Sequence, residues 1–197
     1  MTTPITARDR AKAERSGAIL RATAHLFAER GYNGVSLEDI GAAVGVSGPA
    51  VYRHFAGKQA LLGAVLVEVS RDLVDGGSRV SASATTPDER VRALIAFHVD
   101  FALRHADVIR VHDSDVAHLA PGDHSEVRRL QRAYIELWMD ALAAVVDAET
   151  DELRLRVQAC FGLINSTPHS TTSAARRHSA TATVLAAMAE SALRAAI

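Results

Sequence analysis

The chain has 197 residues, 48% of them hydrophobic, which is ample for a buried core in one domain or in a small domain fused to a larger one. Alanine and leucine dominate and prolines number five, predicting an all-α chain; no apolar run of about 18 residues offers a membrane span, and the lone Cys160 excludes an intrachain disulfide or multi-cysteine zinc site. The net charge of −1 divides unevenly, with eight Lys/Arg against five Asp/Glu through Lys58 (+3) and fourteen against eighteen beyond it (−4), as fits a chain that meets phosphates at one end only.

The polar stretch 1–15 lacks the apolar centre of a signal peptide, so the cytoplasm is the expected compartment. Helical spacing of Ile19, Thr23, Leu26 and Phe27 predicts a first helix over 13–30, stopped by Gly31. Ser36 then caps a short helix carrying Leu37, Ile40 and Val44, with Glu38 and Asp39 in its first turn, where acids suit the helix dipole. Gly45 breaks that helix. Ser47 caps a third helix through Phe55, with Pro49 tolerated in its first turn, and Gly57 separates it from a fourth over 58–75. Two short helices about a tight turn at Gly45, braced by the helix before them, form a helix-turn-helix pattern.

The small, polar stretch 76–85 reads as a loop. Thr86, Pro87 and Glu89 then open a helix to about His105 with a capping box. Shorter helical stretches fill 107–120, Pro121 and Gly122 interrupt, and a long helix runs over 125–148. Thr150 caps the next helix, 151–166, with Leu153, Val157, Phe161 and Ile164 as its stripe; 168–177 is irregular, and an alanine-rich helix with Leu185, Met188, Ala192 and Leu193 spans 179–197. The expected architecture is a three-helix headpiece within 1–58 and a larger helical domain over 59–197, about nine helices in all.

Over about residues 13–66 the sequence resembles the TetR family of bacterial regulators. The matching residues are Leu26-Phe27, Gly31-Tyr32, Ser36, Ile40, Gly45-Val46-Ser47, Val51-Tyr52-Arg53-His54-Phe55, Lys58 and Leu61-Leu62. The resemblance implies a transcriptional regulator in which residues 1–58 bind a double-stranded DNA operator and 59–197 bind a small-molecule effector and dimerise. It implies phosphate contacts from Ser36, Tyr52, His54 and Lys58, donors that set register without reading sequence. The base-reading stretch is implied to be Gly48, Pro49 and Ala50, opened by Ser47, with Arg53 a turn later. Gly48-Pro49-Ala50 offers a thymine methyl an apolar contact but no side-chain hydrogen bond, so specificity is expected to lean on Arg53, on DNA shape and on a basic arm of Arg8, Arg10, Lys12 and Arg15.

The resemblance further implies a homodimer through the last two helices, the alanines of 179–197 and the stripe of Phe161 and Ile164 supplying close-packing faces, and hence a near-palindromic operator. A pocket is expected among the middle helices. Its candidate walls are Phe97, Phe101, Tyr134, Trp138 and Phe161, with His105, His112 and Asn165 from a polar set that also includes His98, Arg104, Arg110, Asp113, Asp115 and His118. His112, Asp115 and His118 at three-residue spacing spread too widely around a helix to chelate well, so no metal and no cofactor are expected. The stretch 97–119 also resembles actinobacterial TetR regulators of lipid and acyl-CoA metabolism, which makes an acyl-CoA the leading effector, with Arg128, Arg129 and Arg132 for its phosphates. No nucleophile–base spacing or phosphate loop supports an enzyme, and a DNA-independent carrier is the remaining alternative.

Overall fold

Thr6 opens the first helix. Its hydroxyl accepts from the Asp9 amide while the Asp9 carboxylate receives the Thr6 amide, so α1 (Ala7–Arg30) begins six residues before its predicted start at 13. The computed structural model describes residues 6–196, with only the backbone of Ser179. The expectations for the start of the polar N-terminal stretch (1–5) and for Ile197 therefore lie outside the described residues.

A single 3₁₀ turn leads to α2 (Leu37–Ala43), capped by Ser36 and Asp39 in the same reciprocal way. Gly45, at φ 69°, makes the turn into α3 (Gly48–Tyr52), which is shorter than the predicted helix through Phe55. The two helices touch closely: a Cβ at Gly41 would stand 2.7 Å from the Val46 carbonyl oxygen, so that position excludes any side chain.

α4 (Lys58–Ser83) corrects the predicted loop at 76–85. Gly76 and Gly77 are buried inside it, because a Cβ on Gly76 would strike the Phe97 ring and one on Gly77 would stand 2.7 Å from Tyr134. These glycines let α5 (Pro87–Arg104) and α7 (Pro121–Ala143) approach the α4 backbone, and their helix cost of about 1 kcal/mol each is offset by that packing. Pro121 and Gly122 likewise begin α7 rather than interrupt the chain, Pro at the first helical position being free of its usual penalty. Between α5 and α7 lie α6 (Ala106–Asp115) and a 3₁₀ turn, Val116–His118. After α8 (Thr150–Asn165), the stretch predicted as irregular forms two single turns, α9 (Thr167–Ser170) and α10 (Ser173–Arg177), before α11 (Ser179–Leu193). The nine expected helices correspond to α1–α8 and α11, and no strand occurs among the described residues.

Two clusters fill the interior. One joins Ile19, Phe27, Ile40, Val51, Leu62 and Leu66 to Val111, Leu119, Val127 and Leu130, so the headpiece shares its core with α6 and the start of α7. The other holds α5, the end of α7, α8 and α11 together around Trp138, Leu142, Val157 and Ile164. Arg156, its side chain 8% exposed, pins the end of α11 by donating to the Leu193 and Ala195 carbonyls at 2.9 and 2.8 Å. α4 borders both clusters.

Candidate nucleic-acid interface and effector cavity

α3 lies on the outside of the headpiece. Val51 is its buried anchor, while Ser47, Pro49, Tyr52 and Arg53 are exposed and Ala50 and His54 half-buried. Tyr52, a large side chain, is 57% exposed. Gly48 departs from its expected place at the DNA surface. It is buried against α2, where a Cβ would stand 3.1 Å from the Glu38 carboxylate, so it serves helix–helix approach instead.

The expected phosphate donors are held by specific neighbours. Ser36 spends its hydroxyl within the capping box, donating to Asp39 at 2.6 Å, and that bonding holds the Asp39 carboxyl below its ordinary range. His54 Nδ1 sits 3.1 Å from the Ser16 hydroxyl, which ties α3 to α1. Lys58 Nζ donates to the Val35 carbonyl at 3.0 Å and lies 4.4 Å from the centre of the Tyr32 ring. An ammonium has three N–H donors, so this contact leaves capacity for an anion. Tyr52, Ser36 and Lys58 border one surface groove, with Glu38 and Asp39 on its rim.

Tyr32 links this groove to the sensor half. Its ring meets Phe27 edge-on at 5.5 Å and stacks on His118 at 4.6 Å between centroids, and the His118 carbonyl accepts from the Gln59 side-chain amide at 3.0 Å. Behind His118 lies Asp115, 5% exposed, its Oδ1 4.0 Å from His118 Nδ1 and its Oδ2 without a partner. His112 faces elsewhere, bonded to Gln131 at 2.6 Å. The three residues once considered as metal ligands therefore diverge, and no group of three or more His, Cys, Asp or Glu among the described residues is placed to hold an ion.

A cavity of about 300 Å³ opens between α4, α5, α6, α7 and α8, a size in the range of small-molecule sites. Five of the expected residues line it: Phe101, His112, Tyr134, Phe161 and Asn165. Three do not. Phe97 packs on Gly76, Trp138 stands behind the wall with its ring edge toward Phe161, and His105 ends α5 beside a separate cleft between α1, α4 and α6. Val69, Ser70 and Leu73 of α4 complete the cavity wall. The spacing of the apolar pair on α4 marks them as an inward face, but nothing local distinguishes cavity from core.

His98, 2% exposed, is the polar centre of this wall. Its ring stacks on Phe161 at 4.6 Å, and its Nδ1 is 3.3 Å from the Tyr134 hydroxyl. Burial drives its pKa down to about 4, with the Asn165 side chain pulling weakly the other way, so the imidazole is neutral at pH 7. Its Nε2 and the Asn165 Oδ1 are both buried without a hydrogen-bond partner. Unpaired buried polar atoms are costly, and here they border a space that a ligand can fill. Cys160 is buried too, and desolvation pushes its thiol up to about 12, which leaves it inert as a nucleophile.

The expected dimer stripe of Phe161 and Ile164 points inward, Phe161 at the cavity and Ile164 wholly buried. The outward apolar residues are Leu155 on α8 and Val184 and Met188 on α11, exposed by 65, 54 and 50%. Ala159, Gly162 and Ala187 continue the same outer surface with small side chains.

A helix-turn-helix headpiece joined by one long helix to a hollow helical bundle defines a DNA-binding regulator. The description "Bacterial regulatory proteins, tetR family" matches residues 19–65, and "Tetracyclin repressor-like, C-terminal domain" matches 84–169. The chain belongs to the TetR family of transcriptional regulators. It is 35% identical to the transcriptional activator FasR of Mycolicibacterium smegmatis over 88 residues, a stretch covering 45% of this chain and 40% of FasR. To the transcriptional repressor KstR2 of Rhodococcus jostii it is 25% identical, over 85% of this chain and 82% of KstR2. The transcriptional regulator FadR of Bacillus subtilis, solved in complex with stearoyl-CoA, shares the fold at a TM-score of 0.67 and 18% identity, over 90% of this chain and 95% of that one.

Proposed function

We propose that the chain works as a homodimer that represses transcription by gripping a near-palindromic operator and releases it when an apolar small molecule enters the cavity. Residues 1–58 supply the DNA contacts and 59–197 the effector and dimer contacts, without catalysis. The observation that carries this reading is that α4 serves both sites. Val69, Ser70 and Leu73 wall the cavity, while Lys58, on the same helix, borders the phosphate groove. A ligand that tilts α4 changes the separation of the two α3 helices, and paired half-sites tolerate little change. It shifts the equilibrium only by its differential affinity for the two states. Leu155, Val184 and Met188 form the dimer face on α8 and α11.

For the effector we favour the acyl-CoA class, with the acyl chain inside and the CoA outside, since about 300 Å³ cannot also hold the nucleotide. The apolar wall of Leu73, Phe101, Ile109, Ile135 and Phe161 suits a hydrocarbon tail, and FadR of similar fold binds stearoyl-CoA. Arg129 is already held by Glu126 at 2.8 Å, so Arg128 and Arg132, both exposed on α7, are the better phosphate partners.

The test is a gel-shift titration on the promoter beside the protein's own gene, followed by acyl-CoAs of graded chain length, with melting temperature read in parallel. A salt-sensitive, two-fold-symmetric footprint that one chain length abolishes is expected. Binding that no acyl-CoA disturbs, with no shift in melting, removes the thioester; absence of any footprint removes the regulator.

A further inference from the structure

The first turns of α1 bury none of their side chains among the described residues. Residues 6–15 are all exposed, and burial along the helix begins in earnest at Ile19. At roughly 1.5 Å per residue this overhang projects about 15 Å beyond Ser16, the residue that touches His54. A ten-residue helix alone in water is marginal, but here the packed part of α1 has already supplied the nucleus, and Thr6 and Asp9 cap the free end.

The register of the overhang is specific. The face of α1 that packs on the headpiece carries Ile19, Thr23 and Leu26. Continued toward the N-terminus at steps of four and three, that stripe meets Arg15, Lys12 and Arg8. At about 100° per residue the three cations and Ile19 fall within about 60° of one another, while Arg10 falls on the opposite side. None of the three makes an ion pair among the described residues, although Lys12 is near enough to Asp9 to help hold that carboxyl below its usual range. An apolar stripe that turns cationic where its core ends is complementary to a polyanion lying alongside the headpiece.

Resting on the DNA-binding reading, we infer that Arg8, Lys12 and Arg15 form a rigid helical rail that lies on the phosphates of duplex DNA flanking each recognition half-site. The rail begins beside His54, an expected phosphate contact, so its near end adjoins the contact track of α3. This differs from the expectation that a basic arm of Arg8, Arg10, Lys12 and Arg15 contributes to specificity. A helix with its cations on one face follows a backbone, adding affinity and salt dependence without reading bases.

The test compares the full-length protein with the triple variant R8A/K12A/R15A and with Arg10→Ala, which alters charge on the same overhang but on the far face. Equilibrium binding is measured against salt concentration on the selected operator, once with flanks of about one helical turn and once trimmed to the half-sites. On the long duplex the triple variant is expected to reduce the log–log salt slope by about 0.9 for each lost phosphate contact, weakening binding tenfold or more. On the trimmed duplex it should differ little from the parent, and Arg10→Ala should match the parent on both. Since residues 6–15 are exposed, melting temperature should change little in either variant. A triple variant with the parental slope on the long duplex overturns the rail and leaves the regulator reading intact. Equal losses from Arg10→Ala overturn it too, by reducing it to general charge. Failure of the parent to bind any duplex in a salt-sensitive way instead removes the DNA-binding reading beneath it.

Discussion

In the headpiece, Tyr52 is 57% exposed and Arg53 stands free at the end of α3, whereas in the bundle His98 is 2% exposed and Trp138 wholly enclosed. The two halves therefore hold their working side chains at different thermodynamic cost. A surface that waits for a large, charged partner keeps its donors solvated until binding, so those residues contribute little to folding. A cavity of the kind proposed to take an apolar ligand keeps polar atoms dry and partly unpaired, which couples function to stability. Lys58 and His118 sit where the two regimes meet, both against the ring of Tyr32.

Mutations can break or sharpen this contrast. The largest effect is expected from Trp138→Ala, which empties a filled site behind the cavity wall and should cost about 3–5 kcal/mol in urea unfolding. DNA affinity per folded molecule should remain close to the parent's. A loss of only surface-like size would mean that the bundle is loosely packed and the contrast overstated.

Next comes the pH dependence set by His98. Its folded pKa of about 4 lies below the ordinary 6.5, so the unfolded chain takes up a proton that the folded one refuses. This contribution is fully retained above pH 6.5 and lost progressively as pH falls toward 4, reaching about 3 kcal/mol at the acid end. Unfolding curves of the parent and of His98→Phe between pH 7.5 and 4.5 should diverge in slope, the variant being flatter. Parallel slopes would show that the imidazole is solvated.

On the headpiece the order reverses. Arg53→Ala should change stability by less than about 0.5 kcal/mol and, if Arg53 reads a base as proposed, cost about 1–3 kcal/mol of discrimination at that position, measured by binding to operator point variants. Unchanged discrimination would transfer the reading to DNA shape. The smallest effect is expected from His118→Ala, which removes the ring stacked on Tyr32. Affinity for DNA and for effector should each change little, while the factor by which one weakens the other should fall, a loss of about 1 kcal/mol from a coupling of typical size. Preserved coupling would place the transmission in α4 itself and not in the Tyr32–His118 stack.

What could be read in the sequence alone was local. The reciprocal caps of Ser36 with Asp39 and Thr86 with Glu89, the turn at Gly45 and the buried stripe Ile19, Thr23, Leu26 and Phe27 each depend on neighbours within a few residues, so they announce helices and their starts directly. The charge division and the helix-turn-helix spacing were legible for the same reason. Packing between distant segments decided the rest. Gly76 and Gly77 read as a loop until Phe97 and Tyr134 are seen to need their missing side chains, and Gly48 as a DNA contact until Glu38 is seen against it. Phe101 and Phe161 line the cavity while Phe97 and Trp138 do not, although all four are aromatic residues on helices. Which face of a helix meets a void and which meets core is settled by the positions of several other helices, and no residue's chain neighbours carry that information.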